Sequence, residues 1–239
     1  MRTERVTLIP AYMLHQQPWR ETSRIVEVWS REHGRVGLVA RGARRPRSPY
    51  RSLLQPFLPL LVSWSQRGEL GNLGAVEAAG ARAELHGRAL MTAYYLNELL
   101  LRLLPRLDAH PLLYDRYVHT VEVLIGPMQS RAAAVRIFEK HLLAAAGYGL
   151  NLDRATPHDA PVQADAQYLY DFDAGPRLLT GRRVSGHVFP GRALLALHLE
   201  RLDDADDLRA IRRLLHIALR RHLGERPLKT SQVMRALAR

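Results

Sequence analysis

The sequence predicts an α+β protein: a small β-barrel at the N-terminus, then a mainly α-helical domain interrupted by a small β-hairpin excursion. Three observations predict it. The first 80 residues hold five short alternating runs separated by turn residues. From Glu84 onward the apolar period lengthens from two to about 3.6 residues. Residues 151–190 then lose that period and gather Pro157, Pro161, Gly175, Pro176 and Pro190.

Val6 to His15 is the first expected strand and Arg24 to Ser30 the second. A tight turn at Arg31-Glu32-His33-Gly34 joins it to Arg35–Ala40, with Gly34 supplying the positive φ such a turn needs. Leu58 to Trp64 follows, its entry marked by Pro56 and Pro59. Asn72 to Ala79 is the fifth, after the turn Arg67-Gly68-Glu69. Five such strands suit an OB-fold, which binds single strands on one face, and an SH3-like barrel competes on pattern alone. The expected division is therefore residues 1–80, an OB-fold nucleic-acid-binding domain, and residues 81–239, a helical domain with the excursion at about 151–190.

Glu84 to Leu104 is apolar almost all round, as a central, buried helix is, and Pro105 ends it. A second helix runs from Pro111 to Ile125 and stops at Gly126-Pro127. A third, Arg131 to Ala146, carries Val135, Phe138, Leu142 and Ala145 on one stripe, with Gly147 placed to end it. In the excursion, the alternating run Gln167–Asp171 is expected to pair with a strand near Arg177–Thr180. Helices resume at Gly191–Leu199, Asp206–Leu223 and about Ser231–Ala238. Ile211, Leu214, Leu215, Ala218 and Leu219 form the buried stripe of the second of these.

The 239 residues carry a formal charge of +12, which points to polyanionic partners. No apolar run approaches the ~20 residues of a membrane span, and the acid-bearing N-terminus is unlike a signal peptide. The absence of cysteine excludes disulfides, thiolate zinc sites and a Cys nucleophile. A cytoplasmic protein is expected. The charge is most concentrated where Arg41, Arg44, Arg45, Arg47 and Arg51 fall within eleven residues, uninterrupted by an acid. Guanidinium groups so close repel one another unless an anion sits between them, and their planar forks fit phosphate. Pro46 and Pro49 stiffen the loop. The expected DNA contacts are Arg31, Arg35, Arg41, Arg44, Arg45, Arg47, Tyr50 and Arg51, with Arg20 as an extension. The alternative is a solvated basic loop in an arginine-rich chain. Trp19, Trp29, Tyr50 and Trp64 are candidate base stackers, although Trp29 and Trp64 sit in strand patterns that favour barrel core.

Other chemistry is weaker. The stripe Arg209, Arg212, Arg213, Arg220 and Arg221 either continues a DNA path or is a solvated face paired with Asp203, Asp204, Asp206 and Asp207. Those aspartates suit a helix N-terminus, and a metal-dependent nuclease is the enzymatic alternative. There is no Walker loop, GxGxxG, HExxH or G-x-S-x-G setting, so no active site and no cofactor is expected.

The runs HGRVGLVARGARRPRSPYRSLLQPFLPLLVSW, PWRETSRIVEVWSREHG, YYLNELLLRLLP, RIFEKHLLAAAGYGLNL and RPLKTS together resemble the RecO family of bacterial recombination mediators, in the family's order and across most of the chain. The resemblance implies an OB-fold followed by a helical domain and association with the nucleoid. It also implies binding to single- and double-stranded DNA, strand annealing, engagement of the C-terminal tail of single-stranded-DNA-binding protein, and work with RecR to load RecA. Arg136 matches a family position that resembles the tail-binding role, and Arg131, Phe138 and Tyr148 are expected beside it. Many members carry a four-cysteine zinc site in the excursion; this chain has none, so zinc is not carried over. An RNA-binding OB protein, such as a ribosome-associated factor, is the alternative that charge and barrel permit.

Overall fold

A computed structural model describes residues 4–180 and 186–237. Five strands, β1 (Glu4–Trp19), β2 (Ser23–Ser30), β3 (Gly34–Ala40), β4 (Pro59–Gln66) and β5 (Leu70–Ala78), close into a barrel in the order β1-β2-β3-β5-β4. Alternation explains it: Val26, Val28, Val36, Leu38, Leu60, Val62 and Trp64 point inward to one core. The strand β1 is longer than expected because its C-terminal half pairs with β2 and its N-terminal half with β4. Register shifts between Val6 and Ile9 and between Met13 and His15 bend it around the barrel. A parallel pair, Gly37–Val39 with Leu70–Asn72, closes the circle. This is the OB arrangement rather than an SH3-like one.

The segment between β3 and β4 carries the short helix α1 (Tyr50–Leu53) and plugs one end of the barrel with Ala43, Leu54 and Leu58. Helices α2 (Gly87–Leu103), α3 (Pro111–Val123) and α7 (Lys229–Leu237) join the same unit. Trp29 is fully buried, but not in the barrel core as expected. It alternates with Val28, so it lies on the outer face with its cross-strand partners Tyr12 and Arg35. That face is covered by helices: Tyr12 packs on Tyr114 and Tyr117, and Asn97 of α2 donates to the Leu14 carbonyl (3.1 Å). A Cβ on Gly34 would stand 1.9 Å from the Asp108 carbonyl oxygen, so this turn needs glycine for space as well as for its φ of +64°. Glu98 of α2 caps α7, accepting from the Lys229 N–H (2.7 Å), the Thr230 N–H (3.0 Å) and the Thr230 hydroxyl (2.7 Å).

By contact, the chain forms two compact units, Met1–Ile125 with Leu228–Arg239, and Gly126–Pro227. The change from strand to helix texture near residue 80 thus precedes the packing boundary at residue 125. In the second unit, α4 (Met128–Ala145) ends in a Schellman motif. Gly147 (φ +85°) donates to Ala144 O, and Tyr148 donates to Leu143 O. The excursion pairs β6 (Arg154–Ala155) with β7 (Ala160–Pro161), and sets β8 (Gln167–Asp171) between β9 (Gly175–Leu178) and β10 (Val188–Pro190). Tyr168, Tyr170 and Phe189 are its core, and the Tyr170 hydroxyl donates to the Asn151 carbonyl (2.8 Å). Then α5 (Gly191–His198) and α6 (Ala205–Leu223) complete the unit. Asp204 caps α6, and the expected stripe from Ile211 to Leu219 is buried.

Candidate nucleic-acid interface

The plug segment turns its apolar residues into the barrel and its arginines out. Arg41, Arg44, Arg45, Arg47 and Arg51 are all exposed. None forms an ion pair with an acid among the described residues. The loop is nonetheless ordered by turns: Arg45 N–H to Gly42 O (3.0 Å), Ser48 N–H to Arg45 O (3.1 Å) and Arg51 N–H to Ser48 O (3.2 Å). Arg44 ties it to the β1–β2 turn twice, through its N–H to Thr22 O (2.8 Å) and its guanidinium to Arg20 O (3.1 Å). Tyr50 is half-buried, packs against the barrel core and donates its hydroxyl to Gly74 O (3.0 Å). Burial pushes that hydroxyl above its ordinary pKa, so it stays a donor. The loop thus fixes an array of guanidinium groups whose planar forks match the geometry of an anion.

Arg31 and Arg35 are not part of it. They stand at the opposite end of β3, about 20 Å from Arg41 at ~3.3 Å per residue. Arg31 makes a two-pronged pair with Asp115 (2.9 and 2.8 Å), which holds that carboxyl below the usual carboxylate range. Arg35 lies 3.7 Å from Glu27, which Arg106 also holds, and donates to the Leu101 carbonyl. Burial pushes the Arg35 pKa down, against the attraction of Glu27.

Beside the loop runs a groove whose extent the sequence did not reveal. Trp19, Arg20, Ser23, Val39, Arg41 and Asn72 line a cleft of about 340 Å³. Asn72 also borders an adjoining cleft of about 320 Å³ with Arg5, Ser65, Arg67 and Leu70. The β1–β2 and β4–β5 turns rim the two clefts, and those are the turns that border the strand-binding face of OB barrels. Counting strands was the signal that could have located them. Trp19 is 40% exposed, with the Arg20 guanidinium 6.0 Å from its ring centroid. Arg20 sits in the left-handed region (φ +52°), a conformation held by its carbonyl bond from Arg44. The groove thus offers a stacking ring flanked by cations.

The expected tail-binding set does not converge. Phe138 is fully buried, because it falls on the apolar stripe of α4, and is corrected to core. Arg136 faces the fully buried Glu139 at 3.0 Å, so its charge is committed inside the unit. Arg131 donates to the Gly126 carbonyl (2.7 Å). Tyr148 is 45% exposed and stacks on His222 at 3.5 Å.

On α6, Arg209 pairs with Asp206, and Arg221 pairs with Asp173 (2.8 Å) while covering Phe172. Arg213 covers Phe189, its guanidinium 4.7 Å from the ring centroid. Arg192 faces Asp204, Asp206 and Asp207. Among the described residues no three His, Asp or Glu side chains gather as metal ligands. With no cysteine in the chain, the described residues of the excursion offer no zinc-ligand set.

The sequence matches two family models, Recombination protein O N terminal over residues 1–82 and Recombination protein O C terminal over residues 85–232. It is 46% identical to the DNA repair protein RecO of Nitrosococcus oceani, over 98% of this chain and 95% of that protein. Identity to the DNA repair protein RecO of Alkalilimnicola ehrlichii is 45%, over 100% and 95%. With that of Aromatoleum aromaticum it is 41%, over 98% and 97%.

Proposed function

The chain belongs to the recombination protein O family of DNA repair proteins, and from that premise we propose that it is a recombination mediator that works by binding alone. It holds single- and double-stranded DNA on the barrel, anneals complementary strands, engages the acidic tail of single-stranded-DNA-binding protein, and acts with RecR to load RecA at the nucleoid. The observation that carries this reading is the arginine loop: five exposed guanidinium groups, none paired with an acid among the described residues, on an OB barrel. Annealing needs no nucleotide hydrolysis, because base pairing supplies the free energy. The protein need only screen phosphate repulsion, and the loop and the groove beside it have the charge to do so. No catalytic step is required of any residue.

The partner tail, acidic and ending in an apolar residue, calls for an arginine beside an apolar slot. For that contact the second unit keeps the exposed ring of Tyr148, without Phe138, while Arg131 stands at the other end of α4, about 25 Å away at ~1.5 Å per residue. The test is annealing of complementary oligonucleotides, naked or coated with the cognate single-strand-binding protein, with and without that protein's tail. Naked strands should anneal, and coated strands should anneal only when the tail is intact. Equal rates on tailed and tailless coats would remove the tail contact from the account. No acceleration on naked strands would remove the annealing role.

A further inference from the structure

A second concavity on the barrel shares no residue with the groove. It opens at the plugged end. There Gln16 lies opposite Val26 across the β1–β2 pair, and Arg24 follows two residues before Val26 on β2. Val26 and Val28 point into the core, so by alternation Arg24 points the same way, and Gln16 shares that face with its partner. A row that is apolar inside the barrel therefore ends in a cation and an amide. Leu54 and Ala43 of the plug form the floor, and Tyr50, Arg51 and Gln55 the wall, of a cleft of about 250 Å³.

The polar groups are unfinished. Arg24 is half-buried, and its guanidinium makes no hydrogen bond or ion pair among the described residues. The Arg51 guanidinium has only a long contact to Pro46 O (3.4 Å) among the described residues. A desolvated guanidinium without a partner is costly, and an anion removes that cost. Gln16 donates to Leu54 O (3.4 Å) and Gln55 to Arg51 O (2.6 Å), each through its amide nitrogen. Their amide oxygens are left for a ligand with N–H groups.

We propose that this cleft takes one nucleotide of a single strand, its phosphate between Arg24 and Arg51 and its base against Tyr50 with the two amides at its edge. The inference rests on the reading that the barrel binds DNA. Pockets for complete ligands run to roughly 300–1,000 Å³, so about 250 Å³ suits one nucleotide and not a paired helix. A base stacked in a duplex cannot enter. The cleft therefore engages single strands only, and pairing with a complementary strand withdraws the nucleotide.

The test is photo-crosslinking of the full-length protein to an oligothymidylate carrying 4-thiothymidine, with affinity followed in parallel by fluorescence anisotropy. Wild-type protein should give an adduct within Ser48–Arg51. In Gln16→Leu/Arg24→Met that adduct should fall about tenfold or more, while affinity falls no more than about threefold, because the remaining loop arginines still hold phosphates. If the double variant melts early, Gln16→Leu alone should lower the adduct, with affinity falling no more than about threefold. Tight binding with no adduct in that segment, or an undiminished adduct in a folded variant, would overturn the cleft and leave DNA binding standing. A wild-type protein that does not bind the oligonucleotide would overturn the proposed function instead.

Discussion

The arginines of the plug segment and four arginines of the second unit use the same side chain to opposite ends. Around the barrel loop, Arg41, Arg44, Arg45, Arg47 and Arg51 have no acid partner among the described residues. In the second unit Arg136 faces Glu139, Arg209 faces Asp206, Arg221 faces Asp173, and Arg192 faces three aspartates. Composition does not separate the two groups. What separates them is where the carboxylates fall once the chain is folded. An arginine with an acid at hydrogen-bond distance is a strut, and one held away from acids keeps its fork open to an anion.

Truncating Arg136→Ala removes the cation beside a carboxylate with 0% exposure. We expect a loss of about 2–3 kcal/mol in stability, read by denaturant or thermal unfolding, with much less loss in Arg136→Lys. A folded Arg136→Ala protein of wild-type stability would return that residue to the list of free surface arginines. A smaller effect sharpens the rule. Asp173 and Asp206 are exposed partners of Arg221 and Arg209, so Asp173→Asn/Asp206→Asn should leave stability within ~1 kcal/mol. It should also free two guanidinium groups. DNA affinity should then rise slightly, and the log–log salt dependence should steepen by up to about 0.7 for each arginine that finds a phosphate. No change in that slope would mean that position on the fold, and not pairing, decides which arginines meet DNA.

Much of the fold was legible because it follows local periodicity. The five barrel strands and the β8–β9 hairpin follow from alternation, the α6 stripe from its 3.6-residue period, and the end of α4 from Gly147, whereas the short β6, β7 and β10 carry no such pattern. Two misreadings share a cause: they depend on partners remote in sequence. Arg31 looked free because Asp115 is 84 residues away, and Trp29 looked like barrel core because its cover comes from helices after residue 86. Phe138 was legible as core from its stripe, but the resemblance drew it into a surface site. The arginine loop was legible because a run of five cations without an acid needs no tertiary information. The groove was not, because Arg5, Trp19, Val39, Arg67 and Asn72 come from separate strands and turns.

The loop arginines are expected to carry the contact with DNA. The direct measurement is the salt dependence of single-strand affinity for wild type and for Arg41→Ala/Arg45→Ala/Arg47→Ala. Arg44 is left in place because it holds the β1–β2 turn. The triple variant should fold normally, bind more weakly whatever the sequence, and lose about 2 from the magnitude of the log–log slope, at ~0.7 for each of three phosphate contacts. A folded triple variant with wild-type affinity and slope would contradict the account.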